Sequence, residues 1–490
     1  MQELDSSSSY YQLNTASGLV VAIFLFIAGV VIVRLSHHKE TMNEQLKLFV
    51  VAYLARMAMI MVIYNGGLIS IVSDADSHGW VHSLEICERW RLEGYGILTV
   101  PIAVFEDLQA RGSQISSHIL YKLAYAALFL ITGLPGRIAA ASLNALFGAL
   151  IPVFSYRMSI QIFGDLKAAR YLGWTLALMP SMLVFSALTA KEPFVVFFEV
   201  LGLYCCVQIA QRKIRLRYLF AFAMSTYCMF YLRFYIYNVL IGSIVAAVIV
   251  PIFIRGRFRK AALISGAIAS PVVMYFGYVS AMAERQEDAT RNARALQGLK
   301  TYSAAMGGKS FVQNPFDVTQ PSQFVPGLLF GLAHLLFAPF PWNLARGSSL
   351  MLMTSPEVLW WYYVGSVRLI RGLRYGLREN LADSLIPILF CLPLLYYYSL
   401  IFSNIGLAYR YRAQIYPELL LFIGFGYKRL RTMHGFNSYA LPEPDEHEEY
   451  VPENLPAGHR QPWIVRERFD RDPGYQPTQW PNRNDRFRRM

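Results

Sequence analysis

The chain has 490 residues, of which 55% are hydrophobic and only 16% are charged. A soluble globular protein of this length does not carry so much apolar surface, so the composition excludes that class. The net charge of +13 does not indicate nucleic-acid binding, because the basic residues cluster at the ends of apolar windows, as the positive-inside bias produces. These features indicate a polytopic membrane protein.

Apolar windows long enough to cross about 30 Å of hydrocarbon as helices recur along most of the chain. The first window has no basic region before it and no cleavage site after it, so it predicts a retained helix. If the basic clusters are cytoplasmic, the windows alternate in direction and give about eleven spans, with the N-terminus outside and the C-terminus inside. The predicted spans are residues 18–34, 48–64, 138–156, 172–188, 194–211, 218–231, 235–251, 261–282, 360–371, 385–402 and 415–427.

Two further apolar stretches, residues 119–132 and 324–340, cannot span without breaking this alternation. We expect both to be helices lying on or dipping into the outer leaflet, within outer loops at residues 65–137 and 283–355. The predicted organisation is an extra N-terminal helix and cytoplasmic link (1–46), a membrane module (47–431) and a tail (432–490). The tail is rich in Pro, Arg, Asp and Asn and is predicted to be disordered and cytoplasmic.

An acidic motif, Asp74-Ala75-Asp76, follows the second predicted span, and His78 and Trp80 come directly after it. Such polar groups beside a span are costly unless they have a use. Carboxylates can accept a proton from a hydroxyl, and they permit a divalent metal without requiring one. Asp74 and Asp76 could instead be solvated loop acids or a helix cap before the Trp80 segment.

The alternation of spans brings several cations to the same outer face as this motif: Lys191 beside Glu192, Arg233, and the pair Arg410 and Arg412. Lysine and arginine hold phosphate, arginine through a bidentate fork. Lys191 could instead pair with Glu192, and Arg233 could extend to the membrane interface. Two outer arginines run against the positive-inside bias, which favours a use for Arg410 and Arg412.

Four stretches of this chain resemble the GT-C superfamily of membrane glycosyltransferases, especially protein O-mannosyltransferases and lipid A aminoarabinose transferases. They are the acidic motif, residues 133–164 with Asn144, residues 180–193 ending Thr-Ala-Lys-Glu-Pro, and residues 409–417. The resemblance covers roughly residues 45–430. One departure is Ala75, where the protein mannosyltransferases carry Glu, which leaves open whether Asp74 or Asp76 is the base.

The resemblance implies an all-α, GT-C-like protein of the plasma (inner) membrane that acts in cell-surface polysaccharide or glycoconjugate synthesis. It would move a sugar, with inversion, from a polyprenyl-phosphate donor to a hydroxyl of a glycan, lipid or protein at the extracytoplasmic face. Asp74 would be the general base and Asp76 its partner or a metal contact. The donor phosphate would be bound by Lys191, Arg410, Arg412 and Arg233. The acceptor or sugar would contact His78, Trp80, Glu192 and Tyr409, with Glu192 a third candidate metal ligand.

Three other functions fit parts of the sequence. An O-antigen-type polysaccharide polymerase or ligase would use outer arginines without an acidic pair. A transporter or flippase would carry paired broken helices near the membrane midplane, and the sequence shows no such pair. A non-catalytic assembly subunit of a polysaccharide machine is the third.

Overall fold

A computed structural model describes residues 9–35, 41–68, 79–110, 119–211, 215–254 and 319–433 except 345–348 and 380, with short pieces between 297 and 317. These residues are nearly all helical and contain no strand. They lie in the first of two compact units, Met1–His434, whereas the second unit, Gly435–Met490, lies outside the described residues. The predicted all-α class is confirmed; the predicted disorder of the tail stays a prediction.

The helices of the described ranges are numbered in chain order. Their bounds are α1 (Ser9–Leu35), α2 (Met42–Tyr64), α3 (Gly79–Leu92), α4 (Val100–Ala110), α5 (Ile119–Thr132), α6 (Arg137–Phe163), α7 (Leu166–Leu178), α8 (Pro180–Ala187), α9 (Glu192–Ala210), α10 (Leu216–Leu232), α11 (Phe234–Ile254), α12 (Pro321–Phe337), α13 (Pro341–Leu344), α14 (Ser349–Trp360), α15 (Ser366–Glu379), α16 (Leu381–Leu400) and α17 (Ile405–Met433). A π-helical turn, Trp361–Gly365, joins α14 to α15.

Several of these helices are suited to crossing a membrane. Within the described ranges, five are long and apolar enough to do so: Thr15–Leu35, Met42–Tyr64, Arg137–Phe163, Glu192–Ala210 and Asp383–Leu400. Apolar helices in this number indicate a membrane protein, as predicted. The count of eleven spans stays a prediction, and the predicted span 261–282 lies outside the described residues.

Helix α6 forms the centre of the bundle and packs against α1, α2, α7, α8 and α9. Small side chains such as Ala141, Ala145 and Ala149 let its neighbours approach closely, and all three are fully buried. A Cβ at Gly148 would lie 2.7 Å from the Nε of Arg56 on α2. The small residues of α6 therefore determine how near α2 and α8 come to each other.

The predicted span at residues 172–188 is wrong in one respect, because it is broken into α7 and α8 at Met179. Pro180 is the first residue of α8 and has no backbone N–H to continue α7. The residue before a proline avoids the helical region, and Met179 is extended, with φ −63° and ψ 124°. The chain therefore contains a discontinuous helix that the sequence pattern did not reveal.

Protein side chains cover both helix ends at this break. Arg56 Nη1 donates to the carbonyl of Ala177, 3.0 Å away, at the end of α7. The Ser181 N–H at the start of α8 donates to Glu357 Oε2, 2.8 Å away. A cation at a helix C-terminus and an anion at an N-terminus complement the helix dipole and satisfy otherwise unpaired backbone groups. Side chains of the protein itself thus satisfy backbone groups on both sides of the break.

The last helix begins about ten residues earlier than the predicted span at 415–427. Asn404 caps α17, with its Oδ1 accepting from the Gly406 N–H at 2.8 Å. Arg410 and Arg412 therefore lie on the first turns of a helix, whereas the sequence placed them in an outer loop. Helix α15 likewise extends beyond the predicted span at 360–371, and the basic residues between positions 368 and 378 lie within it.

Side chains from several helices come together at each end of the bundle, and the two ends are named here after Lys191 and Gln211. At the Lys191 end, the Arg137 guanidinium lies 4.9 Å from the ring centroid of Tyr64 and 5.9 Å from that of Trp80. Tyr64 precedes the acidic motif and Trp80 follows it, so the two sides of this segment, called the acidic loop below, meet there. At the Gln211 end, Gln211 Nε2 donates to Asp383 Oδ2 at 2.8 Å. The candidate site lies at the Lys191 end.

Candidate functional site

One buried carboxylate at the Lys191 end is surrounded by cations. Glu192 Oε1 lies 3.5 Å from Arg233 Nη2 and 3.8 Å from Arg410 Nη1, and the Glu192 side chain is only 3% exposed. Lys191 precedes Glu192 in the sequence and interacts electrostatically with both arginines. These four residues, called the Glu192 cluster below, combine three basic side chains with one acid, so the cluster carries an excess of positive charge.

Local structure brings the cluster residues together. Glu192 is the first residue of α9, where a carboxylate is favoured by the positive end of the helix dipole. Arg233 is the extended link between α10 and α11, with φ −154° and ψ 95°. Arg410 comes from the first turns of α17. Three separate helix ends thus point their charged residues at one position.

Aromatic residues fix the orientation of Arg233. Its Nη1 donates to the Tyr235 hydroxyl, which lies 3.2 Å from the hydroxyl of Tyr398. The rings of Tyr398 and Tyr411 stack at 4.1 Å, and Arg233 lies 6.0 Å from the Tyr411 ring centroid. Rigid neighbours of this kind hold a guanidinium ready for an anion without further loss of side-chain entropy.

The turn before Lys191 is held by side chains from two other helices. Asn144 on α6 donates to the carbonyls of Ala190, at 2.8 Å, and of Leu188. The hydroxyl of Tyr125 on α5 donates to Asn144 Oδ1 at 2.6 Å. These buried hydrogen bonds fix the backbone from which Lys191 and Glu192 project.

The chain re-enters the described structure from the acidic loop beside this turn. A Cβ at Gly79 would lie 2.7 Å from the Thr189 carbonyl oxygen and 2.8 Å from the ring of Tyr121. Such close contact admits only glycine without a shift of the backbone. Asp74, Asp76 and His78 themselves lie outside the described residues, although His78 directly precedes Gly79 in the sequence.

Comparison of this chain with protein-family models, with curated proteins and with solved structures finds no match.

The environment of Lys191 disfavours a free ammonium group. Burial lowers its pKa well below the usual range, and the neighbouring charge of Arg233 lowers it further, against the opposing effect of Glu192. An anion that bound here would remove much of this penalty, because it would add negative charge beside the amine. The cluster thus favours a negatively charged ligand over a neutral one.

Arg412 does not join Arg410 in the cluster. The two lie two positions apart on α17 and therefore point to different sides of the helix. Arg412 is fully buried, lies 4.2 Å from the Tyr409 ring centroid and interacts electrostatically with Glu357. Its charge acts on the carboxylate of Glu357, which caps α8. A role for Arg412 in donor-phosphate binding is not favoured by this position.

The predicted sugar and acceptor contacts are scattered. Tyr409 is fully buried beneath Arg412, so its ring offers no surface to a substrate. Trp80 is half-buried against Arg137. Of these two aromatic residues, Trp80 lies beside the acidic loop.

The geometry does not favour Glu192 as a metal ligand. The cations around it repel a divalent ion, and within the described ranges no group of three or more His, Cys, Asp or Glu side chains could hold one. Its contacts fit a residue that orients Arg233 and Arg410, and leave its predicted contact with acceptor or sugar untested.

Sequence reasoning missed several neighbours of the cluster. Lys122 adds a further positive charge within electrostatic reach of Lys191, and Tyr121 is half-buried within electrostatic reach of Glu192 and Arg410. Lys122 is the one charged residue in the apolar helix α5. This unusual position could have identified it from the sequence. Tyr235 and Tyr398 gave no signal, because tyrosines are frequent throughout the chain.

Proposed function

We propose that this chain is a membrane glycosyltransferase that moves a sugar from a polyprenyl-phosphate donor to an acceptor hydroxyl at the extracytoplasmic face. The observation that carries the proposal is the excess positive charge of the Glu192 cluster, whose arginines are already oriented by Glu192 and Tyr235. The substrate class that this arrangement suits best is a phosphate-linked lipid, which stays in the membrane while its head group reaches the cations.

The arginines would stabilise the phosphate as it departs. When the sugar leaves a polyprenyl phosphate, the bridging oxygen gains negative charge, and Arg233 and Arg410 are placed to neutralise it. Lys191 would add a third contact. Because these groups are partly shielded from water, each contact is stronger than it would be in solvent.

The acceptor hydroxyl would lose its proton to a carboxylate of the acidic motif. Asp76 precedes Gly79 by three residues, and a chain spans at most about 3.6 Å per residue, so the covalent path from Gly79 to that acid is about 11 Å at most. Gly79 itself packs on the turn that carries Lys191. We assign Asp74 as the base and Asp76 as its partner, with a divalent metal permitted at the pair.

The test is transfer of labelled sugar from polyprenyl phosphate in membranes that contain equal amounts of folded wild-type and variant protein. We expect Asp74→Asn and Arg410→Ala each to reduce transfer at least a hundredfold, because each removes a group that acts in the transition state. The matched control is Arg368→Ala, which removes one arginine far from the cluster, where it contacts Tyr171. Unchanged transfer in both test variants contradicts the proposal.

Two other outcomes identify the alternatives. Loss of activity in Arg410→Ala with full activity in Asp74→Asn indicates a polymerase or ligase that uses arginines without an acidic base. Movement of labelled lipid between leaflets without sugar transfer indicates a flippase. The break between α7 and α8 favours that second candidate, but both of its helix ends are already covered by Arg56 and Glu357.

A further inference from the structure

Two glutamates that the proposed function does not use interact across the contact between α9 and α17. Glu199 lies two turns after Glu192 on α9, and Glu418 lies just over two turns after Arg410 on α17. Residues at these spacings share a helix face. The pair therefore continues, inside the bundle, the line of contact that begins at the Glu192 cluster.

Both side chains are fully buried, and each carboxylate oxygen lacks a hydrogen-bond partner within the described part of the chain. The charge of Glu418 acts on Glu199. A buried ionised carboxylate without a partner costs several kcal/mol, and two of them also repel each other. Two close carboxyl groups in such a place retain a proton between them.

The surroundings supply less positive charge than two carboxylates need. Arg233, from the link between α10 and α11, acts on Glu199, but it is shared with Glu192. From α16, Cys391 is within electrostatic reach of both glutamates, and Tyr398 of Glu199. Among these titratable and charged groups within electrostatic reach of the pair, Arg233 is the one cation. It can balance a single negative charge.

We infer that Glu199 and Glu418 bind one proton between them and form a proton-binding site inside the helix bundle. The proton is taken from the aqueous phase, and the resulting O–H of one carboxyl donates to the carboxylate of the other. The pair then carries a single negative charge, which faces Arg233. The inference does not depend on glycosyl transfer.

The shared proton would connect two helices that build the candidate site. Helix α9 carries Glu192 and α17 carries Arg410, and the hydrogen bond between the two glutamates would hold these helices together below the cluster. Loss of the proton at alkaline pH would replace this bond by repulsion. Proton binding would therefore stabilise both the fold and the spacing of Glu192 and Arg410.

The direct test is infrared spectroscopy of the full chain in lipid nanodiscs. We expect the wild-type protein to show absorption from a protonated carboxylic acid at neutral pH, which shifts in D₂O and disappears at alkaline pH. The double variant Glu199→Gln/Glu418→Gln should lose it. The matched control Glu192→Gln should retain it, because Glu192 is paired with arginines and stays ionised. Absence of the band in wild-type protein, or its persistence in the double variant, overturns the inference.

Thermal unfolding of the same proteins gives a second readout. We expect the wild-type Tm to fall as pH rises from neutral to alkaline, and the double variant to lose this fall, because glutamine mimics the neutral acid at every pH. If the double variant fails to fold, the single variant Glu418→Gln replaces it and should show a smaller fall than the wild type. If the Tm of the variant falls with rising pH as much as that of the wild-type protein, the inference is contradicted. If sodium added at constant ionic strength raises the Tm of the wild-type protein but not that of the variant, the two glutamates bind a cation. That result overturns the proton assignment.

Discussion

The chain contains two groups of charges around arginines of α17, and they differ in balance and access. At the Lys191 end, Arg410 joins Arg233 and Lys191 around Glu192, and its side chain is 25% exposed. On another side of the same helix, Arg412 is fully buried and interacts electrostatically with Glu357. The first group has more cations than anions; the second has one of each.

This difference separates a binding role from a structural one. An accessible excess of positive charge is maintained at a cost to stability and is useful if an anion is bound. The buried charges of Arg412 and Glu357 offset each other electrostatically, and Glu357 also caps α8 while Arg56 covers the end of α7. Two arginines only two residues apart are thus expected to respond very differently to substitution.

The largest expected effect is on stability, at Arg412 and Glu357. Arg412→Met removes a buried positive charge that acts on the buried Glu357 carboxylate, which should lower the free energy of unfolding by about 3–5 kcal/mol. Arg410→Met is the matched control and should cost about 1 kcal/mol or less, because the Arg410 side chain is 25% exposed and its charge is screened by solvent, and because Glu192 keeps Arg233. Unfolding in mixed micelles with increasing SDS measures both. Equal losses in the two variants would remove the distinction between the groups.

Much of the fold was predictable because apolar windows and basic clusters are regular features of membrane helices. The windows located α1, α2, α6, α9 and α16 well. The break between α7 and α8 at Pro180 was not predicted, because the sequence is equally apolar on both sides of it. The early start of α17 was missed because a helix turn that carries Tyr, Arg and Tyr has the composition of a loop.

The candidate site was predictable residue by residue but not as an arrangement. Lys191, Glu192, Arg233 and Arg410 were each identified as unusual charges at one end of the bundle, and the structure brings them together. Arg412 and Tyr409 could not be separated from Arg410 on the sequence alone. Their position depends on where α17 begins and therefore on which side of the helix each residue lies.

The second prediction concerns anion binding at the cluster. Arg410→Ala should weaken binding of a soluble short-chain isoprenyl phosphate about 10- to 150-fold, because a hydrogen bond to a charged group contributes about 1.5–3 kcal/mol. Isothermal titration calorimetry in detergent measures the affinity. Arg368→Ala, which removes the same charge near the other end of the bundle, should leave it within about twofold, since distant charges are screened. Equal weakening in both variants would mean that net charge alone attracts the ligand.

The smallest expected effect is the pH dependence of that binding, which depends on Lys191. Its pKa is lowered in the free protein by burial and by Arg233, and a bound phosphate would raise it again. The complex then holds more protons than the free protein, so affinity should fall as pH rises through the pKa of Lys191, by less than about tenfold. Measurements above about pH 7 avoid the second ionisation of the phosphate. Calorimetry in buffers of different ionisation enthalpy should show proton uptake by the wild-type protein and none by Lys191→Arg, whose guanidinium stays charged throughout. Equal uptake in both would show that the proton enters elsewhere and that Lys191 does not contact the anion.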